Sequence, residues 1–368
     1  MPGAAVVHDY FVQDGGAERV AIELARLLPT ASVHTSFYDD ASFNDRLDPA
    51  RVHAWRLNSA PLRRRFRTML PLYPAYFSML DLRDKELVVS SSSAFAKAVR
   101  TSRKATHIAY IHAPMRFAWQ YGTYATGSSL SLPARTAGRV LGAPLRVWDR
   151  RTSQRPDVLV ANSHTIRRRI KAFWARDAEV IHPPVSVAEF DVPARDDGYL
   201  LVVARLLAYR RVDLAVDAAR ASGRDLVIVG EGPERAALEA RAGKKVRFEG
   251  IASRARVIEL MAACHAYLVP GEEDFGIAPV EAMAAGKPVV AIGRGGAAET
   301  VVDGVTGVLF GTQTPNALVE AIERLESLDL DPGRIKAHAQ QFAPERFQSE
   351  FRLLFERLGV DPALYAVG

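Results

Sequence analysis

The feature that most limits the fold is an alternation of short apolar runs with helical repeats between Tyr199 and Val269. Tyr199–Val203 reads as a strand, Val212–Ala221 as a helix, Asp225–Val229 as a strand and Glu234–Arg241 as a helix. Val246–Phe248, Arg256–Cys264 and Tyr267–Val269 continue the series as strand, helix and strand. Strands that are apolar throughout are buried on both faces, and strands separated by helices pair in parallel. The first half alternates more loosely. Ala4–Val7 is a strand, after which Val20, Leu24, Leu27 and Leu28 recur at helical spacing. Glu86–Ser90, His107–Ile111 and Val158–Ala161 read as further strands. With 368 residues the chain has room for two cores. The pattern predicts an α/β protein of two doubly wound domains.

The boundary follows from the backbone chemistry of proline. His182-Pro183-Pro184 redirects the chain, and the polar stretch Asp191–Gly198 suits a linker. Residues 1–192 and 193–343 then form the two domains. A terminal helix over Pro344–Leu358 carries Phe347, Phe351, Leu354, Phe355 and Leu358 on one face.

Composition narrows the class. Hydrophobic residues make up 48% and charged residues 24%, as in globular proteins. No apolar run reaches the ~18 residues of a membrane span. The N-terminus has no basic region ahead of its short apolar stretch and reads as a first strand, not a signal peptide. The single cysteine, Cys264, excludes an internal disulfide framework and a cysteine-based zinc site, and its helical pattern places it in a core. Reducing cytoplasm is the expected compartment. Net charge is +6, and six arginines with no acid fall between Arg51 and Arg67. Arg63, Arg64, Arg65 and Arg67, interleaved with Leu62, Phe66, Met69 and Leu70, suit an anionic membrane surface or a phosphate-bearing acceptor. No nucleic-acid motif accompanies the charge.

Four constellations carry chemistry. Glu273 and Glu281 lie eight positions apart, the first in a loop after a strand and the second about one turn inside a helix. The backbone N–H groups of Phe275, Gly276 and Ile277 lie between them at a helix N-terminus, which favours anionic or hydroxyl-rich ligands. Arg205 ends a buried strand and Arg210 follows across a loop; two cations at a strand's carboxyl end suit a diphosphate. Gly15 and Gly16 stand between the first strand and first helix, where backbone can approach a phosphate. His112 ends a strand in Ala109-Tyr-Ile-His112-Ala-Pro114-Met115-Arg116-Phe-Ala-Trp119. No His or further acid stands near Glu272-Glu273-Asp274 at metal-ligand spacing, so no metal and no cofactor are expected.

The stretch Glu273–Glu281, with Phe275, Gly276, Met283 and Gly286, resembles the signature of retaining glycosyltransferases of family 4, which have the GT-B fold. The His112–Trp119 string resembles the mannosyltransferase branch serving bacterial O-antigen and exopolysaccharide assembly. Val160-Ala161-Asn162-Ser163, Gly230-Glu-Gly232 and Phe248-Glu-Gly250-Ile251-Ala252 are similar to further family segments. The resemblance implies two Rossmann-like domains facing across a cleft, with the terminal helix crossing back to the first. It implies that Glu273 and the adjacent amides hold the donor sugar, and that Glu281 holds the ribose. Arg205 and Arg210 with the Gly15–Gly16 amides would take the diphosphate, Ile251 and Ala252 the base, and His112 would hydrogen-bond the hexose rather than act as general base. It implies GDP-mannose as donor, with UDP-glucose or UDP-galactose as alternatives, and a lipid-linked saccharide as acceptor at the inner face of the cytoplasmic membrane. A non-catalytic sugar-nucleotide-binding protein is a further alternative. This chain departs from the family at Ala204, Arg210, Arg211 and Asp274, which keeps the positive charge of the phosphate contact but changes its geometry.

Overall fold

The computed structural model describes residues 3–120 and 132–365. The chain divides into two compact units. Among the described residues the first comprises 3–120, 136–184 and 344–365; the second comprises 132–135 and 185–343.

The first unit is built on a parallel sheet of seven strands. They are β1 (Gly3–His8), β2 (Ser32–Thr35), β3 (Val52–Ala54), β4 (Lys85–Ser92), β5 (Thr106–Ile111), β6 (Val158–Ala161) and β7 (Glu179–Val180). Their order is β3-β2-β1-β4-β5-β6-β7. Side chains alternate between the faces, as a two-residue period requires. Ala4, Val6, Leu87, Val89, Ile108 and Tyr110 enter one core, together with Val20 and Leu24 of the helix Gly16–Leu27. Ala5, Val7 and Val88 enter the opposite core, against Phe37, Tyr73, Phe77 and Phe95.

The second unit repeats the plan with six parallel strands. They are β8 (Leu200–Val203), β9 (Leu226–Val229), β10 (Val246–Gly250), β11 (Ala266–Val269), β12 (Val289–Ile292) and β13 (Gly307–Phe310), in the order β10-β9-β8-β11-β12-β13. Leu200, Val202, Leu226 and Ile228 face one core; Leu201, Val227, Tyr267 and Val269 face the other. Cys264 is buried in the latter.

The expected boundary at 192/193 differs from the observed division at Pro184/Val185. The reason is local packing: Val187 and Phe190 are core residues of the second unit, and the Val185 amide donates to the Phe342 carbonyl. After Ala343 the chain rejoins the first unit through the helix Pro344–Arg357, which buries Phe347, Phe351, Leu354 and Phe355 against the β1–β4–β5 face. Strands β2, β3, β7, β12 and β13 were not assigned from sequence. The first three are two to four residues long at or near the sheet edges and carry polar residues such as His34, His53 and Glu179.

Phe351 is fully buried in the helix–sheet core. Phe351→Ala is expected to destabilise the first unit by about 3–5 kcal/mol. Urea unfolding followed by circular dichroism measures this as a lower midpoint.

Candidate functional site

In an open parallel sheet, a crevice forms beyond the carboxyl ends of two neighbouring strands whose connections run to opposite sides. The second unit has that switch point between β8 and β11. Beyond β8 come Arg205, which is exposed, and the short turn Ala208–Arg210. Beyond β11 comes Gly271. A Cβ there would lie 2.5 Å from the Arg210 carbonyl oxygen, so glycine lets the two loops abut. The abutment places the Arg210 guanidinium in an ion pair with Glu273. Gly276 caps the helix Ile277–Ala284 with φ +92, a left-handed conformation that glycine adopts readily. Phe275 turns inward, its ring centroid 5.6 Å from that of Phe342, so its side chain anchors the loop.

Glu281 is 5% exposed on that helix. Its Oε1 accepts a hydrogen bond of 2.6 Å from Arg254 Nη1, and Arg254 Nε donates to Glu189 at 2.7 Å. The Arg254 guanidinium also lies 4.5 Å from the centroid of the Phe190 ring. Each arginine keeps one buried N–H without a hydrogen-bond partner among the described residues: Arg210 Nε and Arg254 Nη2. A buried donor left unsatisfied is costly, and an anionic or hydroxylated ligand would supply the acceptor. Ile251 is 84% exposed, while Ala252 packs against the core just before the capping Ser253.

The first unit has its switch point between β1 and β4. Asp9, just beyond β1, accepts four backbone N–H groups across it. Oδ2 takes Ser93 at 2.7 Å and Ala94 at 2.9 Å; Oδ1 takes Phe95 at 2.9 Å and Ala96 at 2.7 Å. Gly15 is the N-cap of the helix Gly16–Leu27. The Glu18 carboxyl folds back over it, hydrogen-bonded to the Gly15 amide, to its own amide and to Gln13. The turn expected to receive donor phosphate thus engages an internal carboxyl. Burial pushes the Glu18 carboxyl up to about 8 against the lowering effect of those hydrogen bonds, with Asp14 adding to the rise.

His112 follows β5 and is partly buried. Its amide donates to the Ser92 carbonyl at 3.0 Å, and its own carbonyl accepts from Asn162 Nδ2 at 3.0 Å. Its ring Nε2 lies 2.8 Å from Ser91 Oγ. The basic segment is not uniform. Arg63 reaches back to the Tyr38 carbonyl at 3.3 Å and to Asp39 at 3.6 Å. Arg64, Arg65 and Arg67 are exposed, as are Leu57, Leu72 and Met79. Among the described residues no group of three or more His, Cys, Asp or Glu could hold a metal ion, and no helix is long and apolar enough to cross a membrane.

Comparison with known proteins gives the family. Residues 14–189 match the family model described as Glycosyltransferase Family 4, and residues 189–342 match Glycosyl transferases group 1. The chain belongs to the family 4 glycosyltransferases. It is 30% identical over 172 residues to an uncharacterized glycosyltransferase, MJ1178, of Methanocaldococcus jannaschii, covering 44% of this chain and 49% of that protein. It is 54% identical over 50 residues to the alpha-1,3/1,6-mannosyltransferase ALG2 of Dictyostelium discoideum, covering 14% of this chain and 12% of that protein. The chain thus spans about half the length of the first relative and a short part of the second. The crystal structure of Anabaena Alr3699/HepE in complex with UDP superposes with a TM-score of 0.68 at 18% identity, covering 96% of this chain and 100% of that one. That likeness is one of fold, GT-B.

Sequence reasoning placed Arg205, Arg210, Glu273 and Glu281 at one sheet edge, and the structure brings them there. It missed Arg254, Glu189, Asp9, Glu18, Ser91 and His8. Arg254 directly follows the Ile251-Ala252-Ser253 segment, and that adjacency was the available signal.

The raised Glu18 gives a signed expectation. Its carboxyl holds a proton more tightly in the folded chain than at its ordinary value of 4.5. The associated stability is full below 4.5 and is lost as pH rises through about 8. From about pH 5 to about pH 9, the wild-type urea midpoint should therefore fall relative to that of Glu18→Gln. A constant difference between the two would show that Glu18 does not titrate in this window.

Proposed function

We propose that the protein is a retaining hexosyltransferase that moves mannose from GDP-mannose to a lipid-linked saccharide in bacterial surface polysaccharide synthesis. The observation that carries this reading is the pair of acid–base couples at the second switch point. Arg210–Glu273 and Arg254–Glu281 each leave one buried guanidinium nitrogen without a hydrogen-bond partner among the described residues, the kind of donor a ligand would satisfy. A nucleotide sugar has the matching parts. Its diphosphate accepts from guanidinium groups, and its ribose and hexose hydroxyls donate to carboxylates.

In the reaction the bond from sugar C1 to the β-phosphate oxygen breaks with its electron pair leaving on the diphosphate. The acceptor oxygen bonds to C1 on the same face, and its proton passes to the departing phosphate oxygen. Charge grows on the diphosphate as C1–O lengthens, so cations placed there act more strongly in the transition state than in the ground state. Arg205 and Arg210 take that role; Glu273 with the amides of Phe275, Gly276 and Ile277 holds the hexose; Glu281, aligned by Arg254, holds the ribose. His112 hydrogen-bonds the hexose. Mannose is supported by the His112–Trp119 string and by the short match to the Dictyostelium mannosyltransferase. The exposed Arg64, Arg65 and Arg67, with exposed Leu57, Leu72 and Met79 in the same stretch of sequence, support an acceptor at an anionic membrane face.

Thermal denaturation tests the donor. GDP and GDP-mannose should raise the melting temperature more than UDP and UDP-glucose at equal concentration. A preference for the uridine compounds would remove the mannosyl reading. Arg205→Ala should lower turnover at saturating donor by roughly a hundredfold, the usual cost of about 3 kcal/mol for losing one such donor. Near-normal turnover in a folded variant would take Arg205 out of the phosphate site.

Vesicles test the membrane surface. Sedimentation with anionic vesicles should exceed that with neutral ones, weaken with added salt, and fall in an Arg64→Ser/Arg65→Ser/Arg67→Ser variant. Equal sedimentation with both vesicle types would contradict membrane attraction.

A further inference from the structure

His8, Ser91 and His112 stand at the carboxyl ends of three strands that are neighbours in the sheet, β1, β4 and β5. His8 and Ser91 are fully buried. His8 Nδ1 lies 3.0 Å from the Ser91 carbonyl oxygen and 3.1 Å from Ser91 Oγ. Ser91 Oγ in turn lies 2.8 Å from His112 Nε2. The rings of His8 and His112 meet edge to face, with centroids 6.4 Å apart.

The proton positions follow from what each atom can do. A carbonyl oxygen only accepts, so His8 Nδ1 carries a hydrogen and donates. That nitrogen cannot then accept from the Ser91 hydroxyl. The remaining acceptor within reach of the hydroxyl is His112 Nε2. Were His112 Nε2 to carry the hydrogen instead, the buried Ser91 hydroxyl would have no acceptor, a costly arrangement. Burial lowers the affinity of the His8 ring for a second proton, which keeps it neutral and preserves this direction of donation.

We infer that Ser91, oriented by His8, is a positioning residue that fixes the ring tautomer of His112, with Nε2 the acceptor and Nδ1 the proton-bearing edge. The inference rests on the reading of His112 as part of the hexose site and deepens it. A neutral histidine bears its second function on whichever nitrogen its inner partner leaves protonated. Here that function is hydrogen-bond donation from Nδ1, to whichever acceptor it meets, a hydroxyl oxygen of the sugar being one such acceptor. It also means that Nε2, the basic nitrogen, is already occupied, so His112 is not the base that deprotonates the acceptor. The Asn162 side chain on the His112 carbonyl and the Ser92 carbonyl on its amide hold the backbone, so the ring is fixed from three directions.

Nitrogen-15 NMR of the full chain labelled at histidine reads the tautomer directly. The chain has nine histidines, and the His112 signals are those lost in His112→Gln. The wild-type His112 should show a protonated Nδ1 and a bare Nε2 at alkaline pH. Ser91→Ala should move both resonances toward the average of two tautomers, while Ser91→Thr, which keeps the hydroxyl, should retain the wild-type pattern. Turnover of GDP-mannose hydrolysis should fall roughly fivefold in Ser91→Ala, the factor one neutral hydrogen bond is worth. The donor KM should stay unchanged, and Ser91→Thr should recover the rate. A protonated Nε2 in the wild type, or an unchanged tautomer in Ser91→Ala, would overturn the inference. The expected spectrum together with undiminished turnover in His112→Gln would instead overturn the placing of His112 in the hexose site.

Discussion

A parallel sheet that grows outward in both directions from two adjacent strands must leave a crevice where its connections part. The rest of this molecule's chemistry depends on that constraint. In the first unit the crevice lies beyond β1 and β4, in the second beyond β8 and β11. Main-chain amides and strand-end side chains converge at these two places because the topology brings them there, whatever their identity. The residues then decide what the crevice can bind.

The two switch points are filled differently. In the first unit the Asp9 carboxylate takes four backbone N–H groups, and the Glu18 carboxyl lies over the Gly15 turn. The Asp9 carboxylate and the Glu18 carboxyl there satisfy donors that an anion would otherwise use. In the second unit the carboxylates are matched by guanidinium groups, and Arg210 and Arg254 each keep a buried nitrogen without a hydrogen-bond partner among the described residues. The donors that a diphosphate could engage are therefore proposed in the second unit. The first unit offers His112, held at its ring and at its backbone, as a hydrogen-bonding group.

Much of the fold was legible because its signals are local. The short apolar runs of β1, β8 and β9 and the helical repeat of Phe347, Phe351, Leu354 and Phe355 each stand within a few residues of one another. The placing of Arg205, Arg210, Glu273 and Glu281 at one edge was legible for the same reason, since each lies in the loop or helix that comes next after a strand. Contacts between segments distant in sequence were not. Nothing local joins Arg254 to Glu281, Ser91 to His8, or Asp9 to Ser93, because those pairs form only when neighbouring strands come together. The division falls at Pro184/Val185 rather than 192/193 because Val187 and Phe190, just ahead of the polar Asp191–Gly198 stretch, are core residues of the second unit.

The central claim is that a nucleoside diphosphate sugar docks at the β8–β11 edge of the second unit. Hydrogen–deuterium exchange with and without GDP-mannose tests it most directly, because it reports which backbone amides the ligand covers. The account predicts added protection in three separate segments: 204–211, 251–256 and 270–283. Binding that protects none of these segments would contradict it.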